Sequence, residues 1–204
     1  MAKAYLIGTS GGTPPEAEAG TGDNRNMNET DAPSAADGLA GEFLSASTRR
    51  LRQFTDRIEV CAAMLTGEQI WVRTGGNAIG NLMLHLAGNL RQWILSGVGG
   101  KPDTRIREAE FAATGGVSRE ELFTRLRDVV EEACEVIDAL PAGRLLERRR
   151  IQNYEISVLE AVYHAVEHYA QHSAQIFLIT KILTQKDLAF YGHLKDPAHE
   201  ARTP

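Results

Sequence analysis

The stretch Val158–Leu183, VLEAVYHAVEHYAQHSAQIFLITKIL, decides the fold. No Gly or Pro interrupts it. Apolar residues recur at Leu159, Val162, Val166, Ala170, Phe177 and Ile182, close to the 3.6-residue period of an amphipathic helix. The same stretch holds three of the chain's six histidines, His164, His168 and His172, each four residues from the next. Residues four apart stack on one helix face, so His168 and His172 can reach a common centre. Imidazole is the commonest metal ligand, and a helical H-x-x-x-H presents two of them. By helical angle, His172 and then His168 lie on the flank that continues through Ala165, Ile176 and Ile179. His164 falls with Glu160, Gln171 and Gln175, and is expected beside the cluster or facing solvent.

Upstream, three further segments keep a helical period. Ser118-Arg119-Glu120-Glu121 forms a capping box that opens a helix to about Leu140, and Pro141-Ala142-Gly143 stops it. Residues 144–154 connect it to the His-rich helix, with Arg148-Arg149-Arg150 reading as a solvated loop or helix end. Another helix spans about Asn77–Ser96, with an apolar stripe of Ile79, Leu82, Met83, Leu86, Leu90 and Trp93. At ~100° per residue, Asn81, His85, Asn89 and Gln92 share one flank of that stripe. The flank carries amides and an imidazole but no charge, which suits an internal groove better than a solvent face. The first helix runs from about Ala36 to Leu65. Trp71, in the connection that follows, is expected to pack over a bundle end.

These four long patterns, with no convincing strand and no internal repeat, predict an all-α four-helix bundle. A connection of about twenty residues separates the second helix from the third. Loops of that length are uncommon and often functional, and this one contains RIREAEF, residues 105–111. The bundle is expected over 37–192, and TQKDLAFYGHLKD after Leu183 reads as a partly apolar tail packing back on it. Residues 1–36 are poor in large apolar groups and read as disordered, as do 193–204. Met27, just before the ordered pattern, is expected to be the natural start.

Composition narrows the function classes. The 43% apolar and 24% charged residues are those of a globular protein. A formal net charge of -5 argues against a nucleic-acid surface. No apolar run approaches the ~20 residues of a membrane span, and the N-terminus lacks a signal-peptide core. Cys61 and Cys134 form no C-x-x-C and read as small core residues, so a free-thiol cytoplasmic protein is expected.

Metal sites in helical bundles are built from inward side chains on facing helices. His85 with the His168/His172 pair supplies three imidazoles from two helices. Three neutral nitrogen ligands leave a divalent ion an open position, the pattern of catalytic rather than closed structural sites.

IGNLMLHLAGNLRQW (79–93) followed by HYAQHSAQIFLI (168–179) resembles the DinB-like (damage-inducible) superfamily. RIREAEF is similar to an Arg/Asp/Glu-rich segment between the second and third helices in one branch of it. The resemblance covers about residues 38–192. It implies a metal-binding four-helix bundle with His85, His168 and His172 as ligands, His164 lying outside the triad. Ala174 departs mildly, since relatives often have Gly there. The resemblance also implies a homodimer, and a thiol S-transferase or isomerase using a low-molecular-weight thiol such as bacillithiol, mycothiol or glutathione.

On that reading a divalent ion, zinc or nickel for example, lowers the pKa of the bound thiol, which attacks a small electrophile. Asn81, Asn89, Gln92 and His164 are candidates to orient ligands or substrate, and Arg105 or Arg107 to hold a carboxylate on the thiol. Hydrolysis assisted by the same ion is equally open. Two other readings compete: a non-catalytic dimeric bundle with a structural or sensory metal, and a bundle whose histidines are packed without one.

Overall fold

The computed structural model describes residues 34–198. Helix α1 spans Ala35–Ala63. It begins where Ser34 Oγ accepts the Asp37 N–H and the Asp37 carboxylate accepts the Ser34 N–H. Helix α2 covers Ile79–Leu90 and runs on without a break into a π-helical segment, Arg91–Val98. Helix α3 is short, Arg107–Ala112. Helices α4, Arg119–Asp138, and α5, Val158–Thr184, start at Ser118 and Ser157, whose hydroxyls accept from Glu121 N and Glu160 N. These caps satisfy amides that the first helical turn leaves open.

The four long helices form the expected bundle. Both α1 and α2 pack against α4 and α5, so helices consecutive in the chain, α1 and α2, sit at diagonal corners. The core is built by side chains such as Leu51, Ile58, Leu86, Leu126, Val129 and Ile176, all fully buried. Each such side chain contributes ~1.5–3 kcal/mol relative to exposure. Trp71 packs as expected: its ring fills the space beside Gly80, and its Nε1–H donates to Val117 O at 3.3 Å.

The buried face of α5 differs from the expected one. Leu159, Val166, Ala170 and Phe177 are half-buried and Ile182 is exposed, whereas Ala161, Ala165, Tyr169, Ser173 and Thr180 are buried. The polar members of that row are tolerated because their hydroxyls are satisfied. Ser173 Oγ donates to Tyr169 O and Thr180 Oγ1 to Ile176 O, and the Tyr169 hydroxyl meets Thr55 Oγ1 of α1 at 2.7 Å.

The chain is not free of strands. Arg148–Ile151 (β1) and Tyr154–Ser157 (β2) pair antiparallel, with Arg149 opposite Ile156. Gln152 and Asn153 turn the hairpin at φ 50° and 70°, as the twist of a two-residue hairpin turn requires. The arginine run is therefore a strand, tied down by Arg149–Glu147 at 2.5 Å and Arg148–Glu160 at 3.6 Å. The hairpin also buries Ile151, whose Cδ1 lies 2.3 Å from where a Cβ on Gly97 would stand. A side chain at residue 97 would have to displace Ile151.

At the C-terminal end, Phe190 rests on Phe177 with ring centroids 4.9 Å apart, and the Arg57 guanidinium covers Phe190. The tail does pack back. The expected disorder from 193 onward is corrected by a 3₁₀ turn over Gly192–Lys195, and Ala35 and Ala36 already belong to α1. Residues 1–33 and 199–204 of the two expected disordered segments, with Met27 and His199, lie outside the described residues. Among the described residues no helix is long and apolar enough to cross a membrane. Cys61 and Cys134 are free and buried, as read from the sequence.

Candidate metal centre

Asn81, in the first turn of α2, holds three backbone groups. Its Oδ1 accepts from Ala78 N at 3.1 Å, and its Nδ2 donates to Glu110 O at 2.9 Å and Ala113 O at 2.7 Å. The α3 segment is thereby laid over α2. One turn beyond Asn81, the His85 ring is buried with Phe111 against it at 4.7 Å. From α5, His168 and His172 approach the same ring, each with its centroid 4.9 Å from that of His85. The Nε2 atoms of His85 and His168 lie 3.1 Å apart, and one ring nitrogen from each of the three histidines falls within 4.8 Å of the others.

This donor set fits a divalent ion. Nitrogens bond zinc at ~2.0–2.1 Å, so a pair 3.1 Å apart subtends about 100° at the ion. Two such ligands can be no more than about 4.1 Å apart. The half-buried His172 is oriented by Gln175, whose Oε1 lies 3.0 Å from its Nδ1. Burial pushes the His168 imidazole down to about 3, helped by His172 and His85. His172 is lowered mainly by burial as well. Both present lone pairs at neutral pH, as metal ligation requires. His168 Nδ1 is buried without a protein partner.

The side of His85 away from His168 meets a carboxylate that sequence reading passed over. Glu110 Oε2 lies 2.8 Å from His85 Nδ1, while Arg105 donates from Nε to Oε1 at 2.7 Å and from Nη2 to Oε2 at 2.9 Å. Burial alone would raise the Glu110 carboxyl, but hydrogen bonds from Arg105 and His85 outweigh it and hold it below the usual range. The pair fits against α2 only because residue 88 is glycine: a Cβ there would stand 1.9 Å from Glu110 Oε1.

The other candidates take different places. Arg105 is buried in the Glu110 pair, whereas Arg107 lies over the Phe111 ring. Gln92 accepts from Arg105 Nη1 at 3.0 Å and donates to Asp103 Oδ2 at 2.7 Å, tying the long connection to the π-helical segment. Asn89 is buried one turn beyond His85. His164 stacks on Trp93 at 3.9 Å, with its centroid 5.6 Å from that of His168. It borders the cluster without joining it. A cleft of about 410 Å³ opens beside it, walled by Trp93, Tyr154 and Tyr163.

The family model described as "Protein of unknown function (DUF1572)" matches residues 38–192. The chain belongs to this family. Among solved structures, this DUF1572 protein is similar to the crystal structure of a DinB-like protein from Bacillus cereus ATCC 10987. The two share 17% identity, with a TM-score of 0.53 over 69% of this chain and 90% of that one. The fold is therefore DinB-like, as the histidine motif implies, and the likeness speaks for the fold alone. No curated protein matches the DUF1572 chain.

Proposed function

We propose that this protein is a divalent-metal-dependent enzyme, a thiol S-transferase acting on a small electrophile. The observation that carries the reading is a cluster of three imidazoles from two facing helices, with no fourth protein donor grouped with them among the described residues. Such a set leaves coordination positions for water or substrate. When bound, the ion supplies Lewis acidity that favours the deprotonated form of a thiol. The protein's own part is to hold His85 between Phe111 and Glu110, and to keep His168 neutral through burial. The aromatic cleft beside His164 offers an apolar seat for the electrophile. The chain's own cysteines are no candidates for the nucleophile, since burial pushes Cys61 up to about 11 and Cys134 up to about 12. A homodimer belongs to the same reading, and sedimentation equilibrium tests it.

The experiment is a screen of glutathione, bacillithiol and mycothiol against model electrophiles with zinc- or nickel-loaded protein, following electrophile loss by chromatography. The reading expects turnover that disappears in His85→Ala and His172→Ala. Metal-loaded protein without turnover on any pair would instead support a structural or sensory metal.

A further inference from the structure

We infer that Glu110, held by Arg105, is the positioning residue that sets the metal affinity of the histidine cluster and couples it to the connection between α2 and α4. The inference rests on the metal reading above. The two contacts at His85 Nδ1 make opposite demands. Glu110 Oε2 at 2.8 Å calls for a protonated nitrogen, while Arg105 Nη2 at 3.0 Å calls for a bare one. A bare Nδ1 would set its lone pair against an anionic oxygen, whereas Nδ1–H makes a charge-assisted hydrogen bond. The proton therefore sits on Nδ1. The lone pair is then on Nε2, the atom that faces His168.

Arg105 completes the arrangement. Its two-point grip takes up both Glu110 oxygens, so Glu110 is available to His85 only as an acceptor, and neither as a metal ligand nor as a free base. A carboxylate behind a ligating histidine raises the ligand's basicity and fixes its ring; its loss typically costs 10–100-fold in metal affinity. Glu110 sits on α3, which also hangs on α2 through Asn81. An ion on Nε2 makes Nδ1–H a stronger donor, so metal occupancy tightens α3 against α2. Linkage makes the effect reciprocal: whatever loosens α3 weakens the metal.

The test is chelator-competition titration with Zn²⁺ and Ni²⁺ on wild type, Glu110→Gln, Gly88→Ala and His168→Ala. It is read beside the thermal melt of each metal-free protein and the tautomer of His85 from imidazole ¹⁵N shifts. Glu110→Gln removes the charge, and Gly88→Ala displaces the carboxylate without altering it. Both are expected to weaken binding 10–100-fold, with His85 as the Nδ1–H tautomer in the wild type. Hydrogen exchange across residues 105–113 is expected to slow on adding Zn²⁺ to wild type and to stay unchanged in Glu110→Gln. Wild-type affinity retained in both variants, or an Nε2–H tautomer, overturns the inference while leaving the metal site standing. A wild type that binds neither ion overturns the metal reading and this inference with it. If Glu110→Gln fails to fold, Gly88→Ala and the wild-type tautomer still decide.

Discussion

His85 and His168 stand 83 positions apart in the chain and bring their Nε2 atoms within 3.1 Å, one from α2 and the other from α5. An ion bound between them ties two facing helices together in the folded state only. Zinc at a hundredfold excess over its Kd is therefore expected to stabilise the fold by about 2.7 kcal/mol. For a chain of this size that raises Tm by roughly 5–10 °C. Differential scanning calorimetry with zinc and then with a chelator checks it. The shift should vanish in His168→Ala and persist in His164→Ala.

Tyr169 and Thr55 link α5 to α1 in the core, and their hydrogen bond has a direction. The Thr55 hydroxyl donates to Leu51 O at 2.7 Å, so the Tyr169 hydroxyl is the donor to Thr55 Oγ1. Tyr169→Phe removes that donor and leaves Thr55 bonded, a loss of about 1 kcal/mol. Thr55→Val strands a buried phenol and is expected to cost more, ~1–3 kcal/mol. Urea denaturation gives the order, and a Tyr169→Phe variant less stable than Thr55→Val would refute the assignment.

Gly80 lies against the Trp71 ring, with ring atoms 2.8–2.9 Å from where a Cβ would stand. An indole between bundle and loop cannot yield as a flexible chain end does. Gly80→Ala is expected to destabilise by ~1–3 kcal/mol and to shift tryptophan emission as Trp71 is displaced. Equilibrium unfolding with fluorescence detection reads both.

Burial raises the two thiols from an ordinary 9.0 to about 11 for Cys61 and about 12 for Cys134. Above pH 9 the unfolded chain therefore loses thiol protons that the folded chain keeps. Their contribution to stability is fully present below pH 9 and is lost as pH rises toward 11–12. The alkaline slope should flatten in Cys61→Ala/Cys134→Ala. In the native state at pH 8 neither thiol should react with an aromatic disulfide reagent until denaturant is added.

Much of the bundle is legible in the sequence because period and cap agree: Ser118, read as a cap, does begin a helix whose first turn its hydroxyl closes, while the Ser157 cap emerges only from the structure. The histidine triad is legible for the same reason, since four-residue spacing on α5 and an uncharged flank on α2 survive without tertiary information. The hairpin is not. RRRI and YEIS are four-residue strands without clean alternation, and their turn uses Gln152-Asn153 rather than a glycine pair. The buried face of α5 misleads because Tyr169, Ser173 and Thr180 look polar until their hydroxyls find partners. Glu110 is the instructive miss. A glutamate in RIREAEF reads as solvated, and its burial depends on Arg105 five residues earlier and on the empty space at Gly88. Neither is visible in helical periodicity.

His85, His168 and His172 are expected to hold one metal ion between them. Metal content by inductively coupled plasma mass spectrometry, after reconstitution with zinc or nickel and exhaustive dialysis, tests it most directly. The expected result is close to one ion per chain in wild type and His164→Ala, and none in His168→Ala or His172→Ala. A wild type that retains no metal, or a His168→Ala variant that retains as much as wild type, would contradict the account.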